Sequence, residues 1–451
     1  MKRDEVYVDF SVARSTLPPN FYGTHVASHG GETSRIDLDN NGIEESFSDF
    51  EEHRIAMDDA KINYIRRDMD LDNVANEDFT FNHYKNNPAN IDIAKSQVAW
   101  AAESNKKILL ETTFMPPWLA ERSNLCSTRL QTCEPKDYRV WGSLILAYLH
   151  EVGCDKHPGT CEIEVWNEPY LHLFFLSDAS CQQRIDGYIR LYTNTRAAIK
   201  ARYPDMPVGG PSGYIGSECS KEFLKQFLEK VPASEVDFVT IHTYADAKLA
   251  DQITESMNLI RASGHGTNVK ITELGAATSG VDAGDPKMHE YVISSAFVLA
   301  ASTEPTLTSI TQFQWADDNK YSDGLPHYTF WPHRREMFSE ALLDNAQYAG
   351  YRVSKQLGTI HPAGSTIVES NAPDGMLMLA TRSSAGKFVT VVNRHRISSI
   401  SLTVVLSGVD ADRLVDVDSG ISYPVVGQAV DLGFIPSQTV RHYELLGKYD
   451  I

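Results

Sequence analysis

Cys161-Glu162-Ile163-Glu164-Val165-Trp166-Asn167-Glu168-Pro169 decides how the rest of the chain is read. It begins as an alternating strand and ends in an Asn-Glu pair before a proline, which has no N–H to give to a ladder and stops the strand. Asn167 and Glu168 therefore belong to the strand's C-terminal end, where a parallel α/β barrel carries its chemistry. A second stretch answers it: Val269-Lys270-Ile271-Thr272-Glu273-Leu274-Gly275, a short apolar strand with a glutamate at its exit. Two carboxylates on two strand ends of one barrel face each other across its mouth. That is the minimum equipment for cleaving a glycosidic bond. Either glutamate alone reads more simply as a solvated loop residue or half of an ion pair. The pair, with an asparagine directly before one member, turns the reading towards chemistry.

Outward from these stretches, strand and helix alternate. Residues 20–25, 61–67, 107–113, 161–168, 207–212, 236–244, 269–275 and 307–315 read as strands. Residues 51–60, 88–104, 139–152, 183–202, 220–230, 250–263, 288–301 and 346–357 read as the helices that follow them. This rhythm predicts a (β/α)8 TIM barrel over 17–357. Beyond Pro362 the pattern changes to short alternating runs at 375–381, 387–392, 400–406 and 439–446. These predict a C-terminal antiparallel β-sandwich domain. Residues 5–12 also alternate and precede the break at Leu17-Pro18-Pro19, so residues 1–16 plus 358–451 are assigned to one accessory domain.

The totals fit two units. At 451 residues the chain exceeds one typical domain, and 42% of it is hydrophobic with a mean hydropathy of -0.30. No run approaches the roughly 18 apolar residues of a membrane span. The net charge of -19 lacks the basic footprint of a nucleic-acid binder and argues more weakly against a polyanionic substrate. The expected partner is an oligosaccharide or glycoside, with no nucleic acid and no membrane, and the oligomeric state is not legible. Met1-Lys2-Arg3-Asp4-Glu5 is not followed by the apolar region of a signal peptide. All six cysteines lie between Cys126 and Cys219, and the spacing suggests bridges Cys126–Cys133 and Cys154–Cys161, with Cys181 and Cys219 as a third pair. That reading implies an oxidising compartment and a leader absent from this chain; the alternative is six ordinary thiols of a cytosolic enzyme. No Asn-x-Ser/Thr acceptor is present. Neither CxxC nor a histidine pair accompanies the cysteines, so no metal is expected, and no cofactor.

For the chemistry, Glu168 is assigned as acid/base and Glu273 as nucleophile. Asn167 is placed to hydrogen-bond a sugar hydroxyl beside the reacting carbon. His242 and Tyr244 are two apart, share one face of their strand and are expected to hold Glu273 ionised. Trp315 ends the eighth strand, as a platform under a pyranose ring or as a core residue. Arg66 or Arg67 is expected to bond a carboxylate, and strand parity does not say which points inward. His25, with His29, Trp118, Tyr170, Phe174 and Trp331, is a weaker candidate for a subsite wall; packing is the simpler role for each.

Glu164-Val-Trp-Asn-Glu-Pro169 resembles the acid/base motif of retaining glycoside hydrolases of clan A. The chain more closely resembles glycoside hydrolase family 39, which contains β-xylosidases and α-L-iduronidases. Phe114-Met-Pro-Pro-Trp-Leu-Ala, Val208-Gly-Gly-Pro, Asp237-Phe-Val-Thr-Ile-His-Thr-Tyr and Thr272-Glu273 carry the resemblance in order. It spans roughly residues 20–357 and implies the same two roles for Glu168 and Glu273. Three places depart from the family. Arg66-Arg67-Asp68 replaces Arg-Phe-His, Leu274 replaces a tryptophan, and Ala316-Asp317-Asp318 replaces Thr-Phe-Ser-Asp. Arg67 and His333-Arg334-Arg335 leave an acidic sugar open as substrate. An exo-acting, β-xylosidase-like hydrolase is the leading expectation. The alternatives are an endo-acting glycanase and a non-catalytic carbohydrate-binding barrel. Schiff-base chemistry lacks a lysine at any of the assigned strand ends.

Overall fold

A computed structural model describes residues 4–26, 51–83, 91–244, 249–266, 268–275, 286–313 and 349–447. The chain starts in β1 (Asp4–Thr16), which joins a sheet built otherwise from the C-terminal residues. Eight parallel strands then close into a barrel in chain order: β2 (Tyr22–Val26), β3 (Tyr64–Asp68), β4 (Lys107–Glu111), β5 (Cys161–Glu164), β6 (Val208–Gly213), β7 (Phe238–Tyr244), β8 (Val269–Gly275) and β9 (Leu307–Gln312). Closure is made by β2 pairing with β9. The strands are almost wholly buried because one face fills the barrel and the other packs under helices, so their sequences read as short continuous apolar runs.

The helices are α1 (Glu51–Asp59), α2 (Leu71–Val74), α3 (Ile91–Glu103), α4 (Tyr138–Glu151), α5 (Cys181–Arg202), α6 (Glu218–Lys230), α7 (Leu249–Ala262), α8 (Pro286–Thr303) and α9 (Ala349–Ile360). Their starts have local causes. The Asp137 carboxylate accepts from the N–H groups of Arg139 and Val140 ahead of α4. Ser180 and Gln183 form a reciprocal capping box at α5.

The second sheet adds β10 (Thr366–Ser370), β11 (Met376–Ser383), β12 (Gly386–Asn393), β13 (Ile400–Ser407), β14 (Arg413–Asp416), β15 (Ser422–Pro424), β16 (Ala429–Ile435) and β17 (Thr439–Leu446). Its order is β15-β14-β17-β12-β11-β10-β1-β13-β16, antiparallel throughout except where β1 runs parallel to β13. The two edge strands, β15 and β16, touch, so one continuous sheet folds over its own apolar core, which includes Val8, Val391, Leu402 and Leu432. The sequence pattern did not mark β10, β14, β15 or β16. The first three are short, and Gly433 at φ 68° interrupts the alternation of β16.

Three disulfides are formed, Cys126–Cys133, Cys154–Cys161 and Cys181–Cys219. Among the described residues no helix is long and apolar enough to cross a membrane.

Where the sheet meets the helices, two histidines are fully buried. His361, just after α9, bonds Thr381 at 2.7 Å and Thr390 at 2.6 Å, and His442 on β17 bonds the same Thr390 hydroxyl at 2.8 Å. Burial, with the neighbouring His442, pushes His361 down to about 3, and burial pushes His442 down to about 4. In the unfolded chain both return to about 6.5. Above that pH they are neutral in both states. As pH falls from 6.5 towards these folded values, the unfolded chain takes up protons that the fold refuses, and stability is lost. The slope reaches about 1.4 kcal/mol per pH unit for each histidine. A His361→Gln protein, which keeps a hydrogen-bonding side chain, is therefore expected to lose less stability than the parent between pH 6.5 and 4.5, read from urea midpoints. Equal losses would show that these histidines do not set the acid limit.

Candidate active site

The barrel interior is organised by charge in layers. Nearest the N-terminal ends, Lys270 Nζ donates to Glu162 Oε2 at 2.7 Å, as does the Tyr64 hydroxyl, and Nζ lies 4.5 Å over the Tyr64 ring. Two residues further along their strands, Arg66 and Glu164 form the next layer. Arg66 is fully buried. Its Nε donates to Glu164 Oε2 at 2.6 Å, its Nη2 to Glu111 Oε2 at 3.1 Å and Asn167 Oδ1 at 3.0 Å, and its Nη1 to Glu273 Oε1 at 2.7 Å. Burial works against ionising these carboxyls. Lys270 outweighs it for Glu162, and Arg66 for Glu164, so both are held below the ordinary value. Glu111 goes the other way: burial and the charge of Asp68 raise it well above the carboxylate range.

Local backbone irregularities bring the two glutamates to the mouth. Between β7 and β8 the register runs Ile241↔Ile271 and then His242↔Glu273. The extra residue in β8 is a bulge, which lets two consecutive side chains reach the interior. Thr272 Oγ1 donates to Glu164 Oε1 at 2.9 Å while Glu273 accepts from Arg66. At the exit of β5, Trp166 and Glu168 have φ of 66° and 39°. A bulky residue takes this left-handed conformation only where its surroundings impose it. Trp166 is clamped by Trp141, Phe114 and Phe175, and its Nε1 donates to the Phe174 carbonyl at 2.9 Å. With Trp166 turned into that shell, Asn167 and Glu168 turn to the mouth.

Glu168 Oε1 accepts from the Tyr170 hydroxyl at 2.7 Å and from His242 Nδ1 at 3.0 Å. His242 Nδ1 also lies 3.4 Å from Glu273 Oε2, to which the Tyr244 hydroxyl donates. One oxygen of Glu168, one of Glu273 and one His242 nitrogen lie within 4.8 Å of one another. His25 Nε2 bonds Asp68 Oδ1 at 3.0 Å, and its Nδ1 stands 3.8 Å from Glu273 Oε1. Burial raises the Glu168 carboxyl, but the His242 hydrogen bond and charge, then Tyr170 and Arg66, outweigh it and leave it below its ordinary value. Burial likewise opposes charge on His242, and Glu273 and Glu168 outweigh it and raise the imidazole. Nδ1 carries the hydrogen between the carboxylates, while Nε2 is buried and meets no partner among the described residues. Tyr170 and Tyr244 are raised well above their ordinary value by burial and the adjacent carboxylates, so both act as hydroxyl donors. Among the described residues, the trio of Glu168, His242 and Glu273 is also a group that could hold a cation, although the three already bond one another through His242.

Of the residues singled out in the sequence, Glu168, Glu273, Asn167, His242, Tyr244, Arg66 and His25 converge here. His242 differs in detail: it bonds Glu168 more closely than Glu273. Arg67 is corrected. It points out of the barrel, where its Nη1 donates to Gln97 on α3 at 2.9 Å, so it offers nothing to a substrate carboxylate. Trp118 and Phe174 pack, against Phe79 and Phe114. Tyr170 is a direct partner of Glu168 instead of a packing residue. Trp315, His29, Trp331 and residues 333–335 lie outside the described residues. Asp68, Glu111 and Glu164 were not marked. Their signal was present as a shared period of two: Tyr64, Arg66 and Asp68 on β3 and Glu162 and Glu164 on β5 alternate on one face.

Residues 47–272, half of the chain, match the sequence pattern of Glycosyl hydrolases family 39. The chain belongs to that family. The match stops one residue short of Glu273, whose place therefore rests on the geometry above. A relative in sequence is the β-xylosidase of Geobacillus stearothermophilus, 35% identical over 150 residues. That alignment covers 31% of this chain and only 27% of the relative. Among solved structures, the family 39 enzyme of Xanthomonas axonopodis pv. citri superposes with a TM-score of 0.66 at 17% identity, covering 99% of this chain and 98% of that one. The family 39 β-xylosidase of Caulobacter crescentus gives 0.63 at 18% identity, with 98% and 100% covered. A family 30 endoxylanase of Clostridium papyrosolvens gives 0.64 at 13% identity, with 98% and 99% covered. At these identities the superpositions speak to the shared fold.

Proposed function

We propose that this chain is a retaining glycoside hydrolase, acting by double displacement and releasing single sugars from a β-xyloside or a related neutral glycoside. The carrying observation is the approach of the Glu168 and Glu273 oxygens to within 4.8 Å. Retaining enzymes place their carboxyl groups about 5–5.5 Å apart, whereas inverting ones leave roughly 6.5–9.5 Å for a water.

In this reading Glu273 attacks the anomeric carbon. Arg66 on Oε1 and Tyr244 on Oε2 orient it. Glu168 protonates the leaving oxygen, then takes a proton from water to hydrolyse the glycosyl-enzyme. Asn167 Oδ1 is committed to Arg66, which leaves its amide N–H groups to donate to a sugar hydroxyl beside the reacting carbon. A neutral sugar is favoured because Arg66, the arginine that the described residues bring to the site, is already paired with Glu164 and Glu273, and Asp68 adds a further carboxylate. Three disulfides support a secreted or extracellytoplasmic setting.

The test is nitrophenol release from β-xyloside, β-glucoside, β-galactoside, α-L-arabinosides, β-glucuronide and α-L-iduronide. Release from a neutral glycoside is the expected result, with the uronides inert. Turnover of a uronide alone would overturn the substrate reading. Silence across aryl glycosides with cleavage inside a xylan chain would favour an endo-glycanase.

A further inference from the structure

Among the described residues, both donors that reach Glu168 arrive on the same oxygen. The Tyr170 hydroxyl lies 2.7 Å and His242 Nδ1 3.0 Å from Oε1. Among the described residues Oε2 accepts no hydrogen bond, and the side chain keeps 13% of its surface exposed. A carboxyl oxygen that already accepts two hydrogen bonds is poorly placed to carry a hydrogen of its own.

We propose that Tyr170 is a positioning residue for the acid/base step: with His242 it occupies Glu168 Oε1, so that the proton given to the leaving group, and later taken from water, travels on Oε2. This rests on Glu168 being the acid/base.

The hydroxyl is held rigidly enough for that task. The Tyr170 ring stacks on Tyr214 with centroids 6.2 Å apart and meets Phe223 of α6 edge-on. The Cys181–Cys219 bridge ties the start of α5 to α6, and Cys219 Sγ lies 3.9 Å from the Tyr170 carbonyl oxygen. Of Tyr170, it is the hydroxyl that bonds Glu168, while its ring is held by these aromatics. In the glycosylation step Glu168 Oε2–H breaks its O–H bond as the leaving oxygen gains the proton and the anomeric carbon–oxygen bond breaks. In the second step Oε2 regains a proton from the attacking water.

Tyr170→Phe keeps both ring contacts and removes only the donor. The other titratable groups among the described residues that face Glu168 are unchanged: His242 and Tyr244 on β7, Glu273 on β8, and Arg66 on β3. A carboxylate that loses a donor holds its proton to higher pH. The basic limb of kcat/KM for phenyl β-xyloside is therefore expected to rise by about half to one pH unit, while KM at the optimum stays nearly constant. A readout that needs no substrate is the 13C titration of the Glu168 carboxyl, assigned by its loss in Glu168→Gln, which is expected to move up by the same amount. Limbs and titration that superpose on the parent overturn the role of Tyr170. Undiminished hydrolysis of phenyl β-xyloside by Glu168→Gln would instead overturn the acid/base reading, and the proposal with it.

Discussion

Glu273→Ala is expected to lose about 10⁴-fold or more in kcat on any aryl glycoside the parent cleaves, because in the proposed double displacement Glu273 is the group that forms the covalent intermediate. The fold is expected to survive. Arg66 keeps Glu164 and Glu111 after the truncation, at 2.6 and 3.1 Å. Glu273→Gln is the gentler comparison: its amide oxygen still accepts from Arg66, and only the nucleophilic charge is gone. Both variants are expected to fail in turnover alike. Azide separates the two glutamates. Added to Glu168→Ala it is expected to yield a glycosyl azide of the substrate's anomeric configuration, because azide attacks the glycosyl-enzyme. Added to Glu273→Ala it attacks the substrate directly and gives the opposite anomer. A Glu273→Ala protein within tenfold of the parent would remove Glu273 from the mechanism.

The second large effect concerns Arg66. Three carboxyl groups, Glu164, Glu111 and Glu273, converge on one fully buried guanidinium. Removing one partner from a buried ion pair leaves an uncompensated charge and typically costs about 3–5 kcal/mol. Arg66→Ala is therefore expected to destabilise the protein by about that amount, read from its denaturation midpoint, and to abolish activity by freeing Glu273 and Asn167. Arg66→Lys keeps a charge but cannot reproduce the fork that reaches four acceptors. It is expected to recover part of the stability and little of the activity. Parental stability in Arg66→Ala would mean that the layer is not held together by this residue.

The barrel was legible because each strand is a short apolar run followed by a helical one, and because Pro169 and Gly275 mark strand exits where Glu168 and Glu273 stand. The side-chain directions at those exits were harder to read. Period-two reasoning fails where the bulge in β8 sends both Thr272 and Glu273 inward, and where left-handed backbone at Trp166 and Glu168 resets the alternation. Arg66 and Arg67 could not be separated by parity because both are buried, one in the barrel and one under α3. The facing charges on β3 and β5 could have decided it, since Glu162 and Glu164 share the period of Tyr64 and Arg66. Tyr170 follows a proline outside any strand, so no periodic signal placed its hydroxyl on Glu168. In the second sheet, strands of three to five residues give too few alternations to recognise.

Double displacement fixes the configuration of the first product, and that is the most direct measurement. Hydrolysis of the best aryl glycoside would be followed by 1H NMR in the first minutes, before the free sugar mutarotates. The expected result is initial release of the same anomer as the substrate, with the other appearing only later. Initial appearance of the opposite anomer would contradict the account, since a single displacement by water would then be at work between two carboxylates that stand too close to admit it.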